Sequence, residues 1–171
     1  TYEISSWYPY WGTGTGSGAI SPYLLRSVLG PHFTACFDMR RKDLDYDMIR
    51  RVLSQWKQYA PYYFGDYYPL TAYSLDKTAW MAWQFDLPEQ GKGVVKAFRR
   101  ADSTETAAVL RLRGLNSQTR YALRRLEADG DKEMVEFAGS HLLEKGLPVT
   151  IEEQPGAAVI TYEQILGQEN E

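Results

Sequence analysis

Asp38 closes an apolar run, His32–Met39 (HFTACFDM), and Asp66 sits in a tyrosine-rich loop. Two carboxyls held about 5–5.5 Å apart can perform retaining glycoside hydrolysis, one as nucleophile and the other as general acid and base. Asp and Glu are common residues, however, and the simpler readings are a strand-end hydrogen bond for Asp38 and a turn cap for Asp66. The aromatic cluster Trp7, Tyr8, Tyr10 and Trp11 is the most suggestive local feature. Such rings stack on the apolar face of a pyranose, and their polar edges bond hydroxyls. The same rings could equally pack one domain on another.

Other chemistries are poorly supported. Gly14, Gly16 and Ala19 match the spacing G-x-G-x-x-A. A dinucleotide site needs a strand just before the first glycine and a helix just after the last. An aromatic, proline-containing stretch precedes this run, Ser21-Pro22 follows it, and it holds no Walker A lysine. The only histidines are His32 and His141, and Cys36 is the only cysteine. That composition provides neither the spacing of a zinc site nor an internal disulfide. Ser140 and His141 are adjacent, with no Gly-x-Ser-x-Gly elbow to make a nucleophile. No cofactor or metal is implied.

The elements that must position these residues fall into two halves. Of 24 aromatic residues, only Phe98, Tyr121, Phe137 and Tyr162 lie beyond residue 85. Residues 1–30 read as loop, with Gly12, Gly14, Gly16 and Gly18 alternating with Thr and Ser. His32–Met39 reads as a buried strand ending at Asp38. Ile49, Val52, Leu53, Trp56 and Ala60 share one face of a helix over residues 44–60, with Asp43 or Asp45 as its cap and Pro61 as its stop. Gly65–Leu70 reads as a linker. The density of rings in Tyr59–Tyr73 suits packing between domains better than a ligand face.

Beyond residue 78 the period changes to two. Candidate strands are Ala79–Phe85, Gly93–Arg99, Ala107–Leu112, Arg120–Leu126, Val149–Glu152 and Ala157–Tyr162, separated by Pro- and Gly-rich turns. Strands this short and close suggest a sandwich. Ser140–Lys145 reads as one helical turn, and Gln168–Glu171 as a frayed tail.

The chain has 171 residues, 44% hydrophobic and 24% charged, with 19 Lys plus Arg against 22 Asp plus Glu, a net charge of −3. This is a globular composition. The negative balance argues against nucleic acid, and Arg40-Arg41, Arg99-Arg100 and Arg124-Arg125 read as salt-bridged or solvated pairs. No apolar run is long enough for a membrane helix, and no signal peptide opens the sequence. A first residue of Thr suggests a processed, proteolysed or subcloned piece.

Several stretches, taken in order, resemble the C-terminal part of the α-galactosidases of glycoside hydrolase family 36. They are Trp7–Gly16 (WYPYWGTGTG), Phe37–Arg41 (FDMRR), Gly65–Thr71 (GDYYPLT), Ala79–Phe85 (AWMAWQF) and Gly93–Arg100 (GVVKAFRR). The resemblance implies residues 1–74 as the end of a (β/α)₈ barrel, with His32–Met39 as its last strand and Asp43–Tyr59 as its last helix. Residues 75–171 would be a C-terminal antiparallel β-sandwich. It also implies that the two catalytic aspartates belong to barrel segments before Thr1, since no position matches their motifs.

The expected fold is therefore mainly β, an antiparallel sandwich preceded by a helix-containing barrel remnant. The expected function is the non-catalytic, C-terminal portion of a retaining α-galactosidase acting on terminal α-galactosides, inactive by itself. The alternative is a free-standing carbohydrate-binding β-sandwich. No catalytic residue is assigned. Trp7, Tyr8, Trp11, Asp38 and Arg40 are the substrate-side candidates, because loops after barrel strands form the active face. Expected partners are the rest of the parent chain, its sugar, and a second copy through exposed edges. Nucleic acid and membrane are not expected, and the expected location is cytoplasmic.

Overall fold

The computed structural model describes residues 12–127 and 129–165. A short parallel pair opens it: β1 (Gly12–Gly14) lies beside β2 (His32–Thr34), Thr13 opposite Phe33. Parallel neighbours need a crossover. It is provided by α1 (Pro22–Val28), inside a stretch that reads as loop in the sequence. Ser21 and Pro22 begin this helix rather than break one. The Ser21 side chain accepts from Leu24 N at 3.2 Å, and Pro22 occupies a first-turn position where its missing N–H costs nothing.

Strand β2 stops at Thr34, five residues short of the end of the apolar run at Met39. Cys36 N donates to Thr15 Oγ1 instead of continuing a ladder, and Arg41 N donates to Asp38 O at 3.1 Å, closing a turn. Asp38 thus lies in the turn after the strand. Helix α2 (Tyr46–Tyr59) follows, capped by Asp45, whose side chain accepts from Met48 N at 2.9 Å. A 3₁₀ turn (Ala60–Phe64) with Pro61 in its first turn takes over where α2 ends.

The rest of the described chain is antiparallel. Strands β3 (Asp66–Pro69), β4 (Met81–Leu87), β5 (Lys92–Arg99), β7 (Arg120–Leu126), β8 (Val135–Ala138) and β10 (Gly156–Ile165) form one sheet in the order β3-β4-β5-β10-β7-β8. A second, two-stranded sheet pairs β6 (Ala107–Leu110) with β9 (Leu147–Thr150), and the short helix α3 (Gly139–Glu144) precedes β9. Strands β3 and β8 lie outside the expected set. The Gly65–Leu70 segment reads as linker because its ladder is only four residues long, follows Gly65 and ends on Pro69. As an edge strand β3 needs no more, and Pro69 is tolerated there.

Burial alternates along each strand and explains the layers. Ala82, Val95, Ala97, Leu123, Ala158 and Ile160 face one core, shared with Leu110, Leu142, Leu147 and Val149 from the small sheet and α3. Trp83, Phe85, Val94, Phe98, Leu126 and Val159 face the other, shared with Tyr59 and Tyr63 and flanked by Tyr23, Trp56, Tyr62 and Tyr67. The central strands are buried on both faces, so Gly93–Phe98 reads as a continuous apolar run broken only by Lys96. A third cluster, Leu25, Leu29, Phe37, Ile49 and Val52, joins α1 to α2. The helices are therefore the outer layer of the sandwich. Tyr59, Tyr62, Tyr63 and Tyr67 do the packing expected of the ring-rich stretch.

Candidate functional site

The polar groups of greatest interest gather beyond the C-terminal ends of β1 and β2. Ligands of parallel α/β units bind at that end of the strands. Two loops meet there. Thr15, which is buried, donates from its backbone to Thr34 O at 3.2 Å and accepts from Cys36 N at 3.0 Å through Oγ1. A Cβ at Gly14 would lie 2.6 Å from Thr34 O, so only glycine permits this approach.

Asp38 and Arg40 are brought together. Arg40 Nε donates to Asp38 Oδ1 at 2.9 Å, Nη2 donates to Oδ2 at 2.8 Å, and Arg40 N donates to Oδ1 at 2.9 Å. These bonds from Arg40 hold the Asp38 carboxyl below the usual carboxylate range. An ionised, doubly engaged carboxylate on an exposed turn is neither a general acid nor a free nucleophile. It can accept from a hydroxyl, and the solvated Arg40 can donate to one. Trp7, Tyr8, Tyr10 and Trp11 lie outside the described residues. Asp66 is on β3 opposite Asp86, and Tyr68 Oη donates to its Oδ2 at 3.4 Å.

The glycine run does have a strand before it and a helix after it, but the fit to a phosphate cradle fails. Helix α1 starts six residues beyond Gly16, its first turn includes Pro22, and Leu24 N is already bonded to Ser21. Among the described residues, no group of three or more His, Cys, Asp or Glu is placed to hold a metal.

A groove of about 610 Å³ runs between the starts of α1 and α2 and the residues Glu127, Asp129 and 153–157. Its lining includes Asp45, Asp47, Glu127 and Glu153 but neither Asp38 nor Arg40. This groove and the strand-end cluster are thus different places. The strand-end cluster carries the functional reading, because it combines converging loops with solvent-facing polar groups.

Behind this site, buried cations fasten the helices to the sheet. Lys96 is fully buried; its Nζ donates to Leu29 O at 2.5 Å and lies 5.5–5.8 Å from the ring centres of Tyr63, Trp83 and Phe98. Tyr63 Oη donates to the same carbonyl at 2.7 Å, so two side chains satisfy the end of α1. Arg26 donates to Ala157 O at 2.8 Å and Leu126 O at 2.5 Å, beside Glu127. Sequence reading misses these groups. The one local signal is a lysine within an apolar strand.

Fold and site together define an antiparallel β domain fused to a parallel β-α-β-α unit, with its solvent-facing polar groups where the parallel strands end. The chain belongs to the Glycosyl hydrolase family 36 C-terminal domain family, whose model matches residues 80–170, more than half of the chain. Solved structures share the fold. The GH36 α-galactosidase AgaB from Geobacillus stearothermophilus aligns with a TM-score of 0.67 at 19% identity, over 90% of this chain and 22% of its own. An AgaA variant from the same organism, in complex with raffinose, gives 0.68 at 17% over 90% and 21%. The galactosidase domain of the α-galactosidase-sucrose kinase AgaSK gives 0.63 at 21% over 82% and 19%. The chain spans about a fifth of the length of these proteins. No curated protein sequence matches it. The resemblance and the mainly β antiparallel fold expected from the sequence are thus both found. Among the described residues, no helix is long and apolar enough to cross a membrane.

Proposed function

We propose that this chain works as the C-terminal, non-catalytic portion of a retaining α-galactosidase acting on terminal α-galactosides. Residues 1–74 complete a (β/α)₈ barrel and residues 75–171 form the sandwich that covers it. The observation that carries this reading is the parallel β1–β2 pair, a two-strand piece of sheet whose helices are buried against the β domain. Such a pair leaves strand edges to be completed by further strands. Strand β3 crosses the seam by pairing with β4. The nucleophile and the acid/base belong to other barrel segments, and the sugar reaches this chain only at the active face. There Trp7, Tyr8 and Trp11 stack on it, and Asp38 and Arg40 meet its hydroxyls. A cytoplasmic setting suits an exposed free thiol at Cys36.

The test compares the longer reading frame with residues 1–171 on an aryl α-galactoside. Turnover by the long product and none by the short one is expected. Turnover by residues 1–171, abolished in Asp38→Asn, would overturn the proposal. Saturable quenching of tryptophan fluorescence by raffinose in residues 1–171, lost in Trp11→Ala, would favour a free-standing binding module instead.

A further inference from the structure

Besides Thr15, one further side chain, that of Arg41, ties together the two loops at the ends of β1 and β2. Arg41 Nη1 donates to Ser17 O at 3.0 Å and to Gly18 O at 2.9 Å. The other edge of the guanidinium grips Asp43, Nε to Oδ1 at 3.0 Å and Nη2 to Oδ2 at 2.6 Å. Its backbone is fixed as well: Arg41 N donates to Asp38 O, and Tyr46 Oη donates to Arg41 O at 2.8 Å and to Met39 O at 3.0 Å. The guanidinium is thus anchored on the β2–α2 side and spends its free edge on the β1–α1 loop.

Among the described residues little else holds the tip of that loop: a Cβ built at Gly16 or Gly18 meets nothing within 4 Å. The bonds at Thr15 stop one residue short of Gly16. Among the described residues, Arg41 alone bonds the carbonyls of Ser17 and Gly18.

We propose that Arg41 is a positioning residue for the sugar site: it fixes the Gly12–Gly18 loop relative to the Asp38–Arg40 pair. This rests on the α-galactosidase reading. Lysine cannot replace it, since a single ammonium lacks the planar fork that serves Asp43 and two carbonyls together. Asp38 and Arg40, beside which Arg41 holds the loop, are proposed as binding groups and not as proton-transfer groups, so loss of the clamp weakens substrate binding more than the chemical step.

The experiment uses the full parent chain with Arg41→Ala, Arg41→Lys and Asp43→Asn, measuring galactoside kinetics and amide hydrogen exchange. In Arg41→Ala, KM is expected to rise about 5-fold, the worth of one ordinary hydrogen bond, with kcat within about 2-fold. Exchange at residues 15–18 should accelerate, because the tip loses the two carbonyl bonds from Arg41. Arg41→Lys should fall between Ala and wild type. Asp43→Asn, which keeps both carbonyl bonds, should keep most of the wild-type KM. Added guanidinium should restore KM in Arg41→Ala where equal sodium chloride does not. Unchanged exchange would overturn the clamp. Faster exchange with unchanged KM, or a fall confined to kcat, would overturn the positioning role. A wild-type parent inactive on galactosides would overturn the α-galactosidase reading and with it the KM expectation, while exchange would still decide the clamp.

Discussion

Lys96 illustrates how much a single buried charge can govern. Burial, helped by the nearby Arg26 charge, pulls its pKa down to about 7 from the ordinary 10.5. Across pH 7 to 9 the unfolded lysine therefore keeps a proton that the folded one increasingly releases. Stability then rises with pH in that window, by at most about 1.4 kcal/mol per unit. Below pH 7 both states hold the proton, and the slope from this residue vanishes. Lys96→Met should flatten the dependence and leave stability at pH 7 unchanged or higher, because Tyr63 still satisfies Leu29 O. Urea titrations at pH 6, 7, 8 and 9 test this; equal slopes in wild type and variant would refute it. Arg26 should behave oppositely. Arg26→Ala strands the carbonyls of Leu126 and Ala157 beside Glu127, an expected loss of about 3 kcal/mol.

Between strands, one polar network sits inside the β core. Gln84 Nε2 donates to Arg113 O at 2.8 Å while its Oε1 accepts from Arg113 N at 2.9 Å, clasping the chain after β6. The same Nε2 lies 2.7 Å from Tyr162 Oη, which donates to Asp86 Oδ1 at 2.5 Å. Burial raises the Asp86 pKa and pushes that of Tyr162 well up. Tyr162→Phe should cost about 1–3 kcal/mol, the penalty of leaving a buried acceptor unmet, read from the shift in urea midpoint. Gly93 explains why the tyrosine fits. A Cβ there would lie 2.1 Å from Tyr162 Oη, so Gly93→Ala should destabilise by about 1–3 kcal/mol through overpacking. A Gly93→Ala variant with an unchanged urea midpoint would show that the clash is not felt.

At the scale of the whole molecule, the helices and the sheet are one folding unit. Among the described residues, Trp83, Phe85, Val94 and Phe98 pack against Tyr23, Trp56, Tyr59, Tyr62, Tyr63 and Tyr67 from outside the β portion, which cannot keep that face dry by itself. Residues 75–171 expressed alone should bind a hydrophobic dye, associate on a sizing column and lose cooperative unfolding, since an apolar face of that extent seeks a partner. A monomer with an undiminished, cooperative transition would show the sandwich to be self-sufficient.

Local signals made much of this legible. Helix α2 follows from its apolar stripe and from Asp45, and strands β4, β5, β7 and β10 follow from alternation between turns, each within a few residues of its final bounds. Asp38 and Arg40 stand near the end of the apolar run, and their pairing is a contact between residues two apart. Other features had no local trace. Strand β2 ends early because Thr15, twenty-one residues away, takes the amide of Cys36. Lys96 finds its carbonyl 67 residues away, and Arg26 finds two at separations of 100 and 131. Arg41 reads as half of a surface arginine pair until the fold brings Ser17 and Gly18 to it. Period, caps and turns are short-range properties that the sequence by itself determines. Which polar groups are buried, and on what, is decided by long-range contacts that exist only when the sheet and its helices close together.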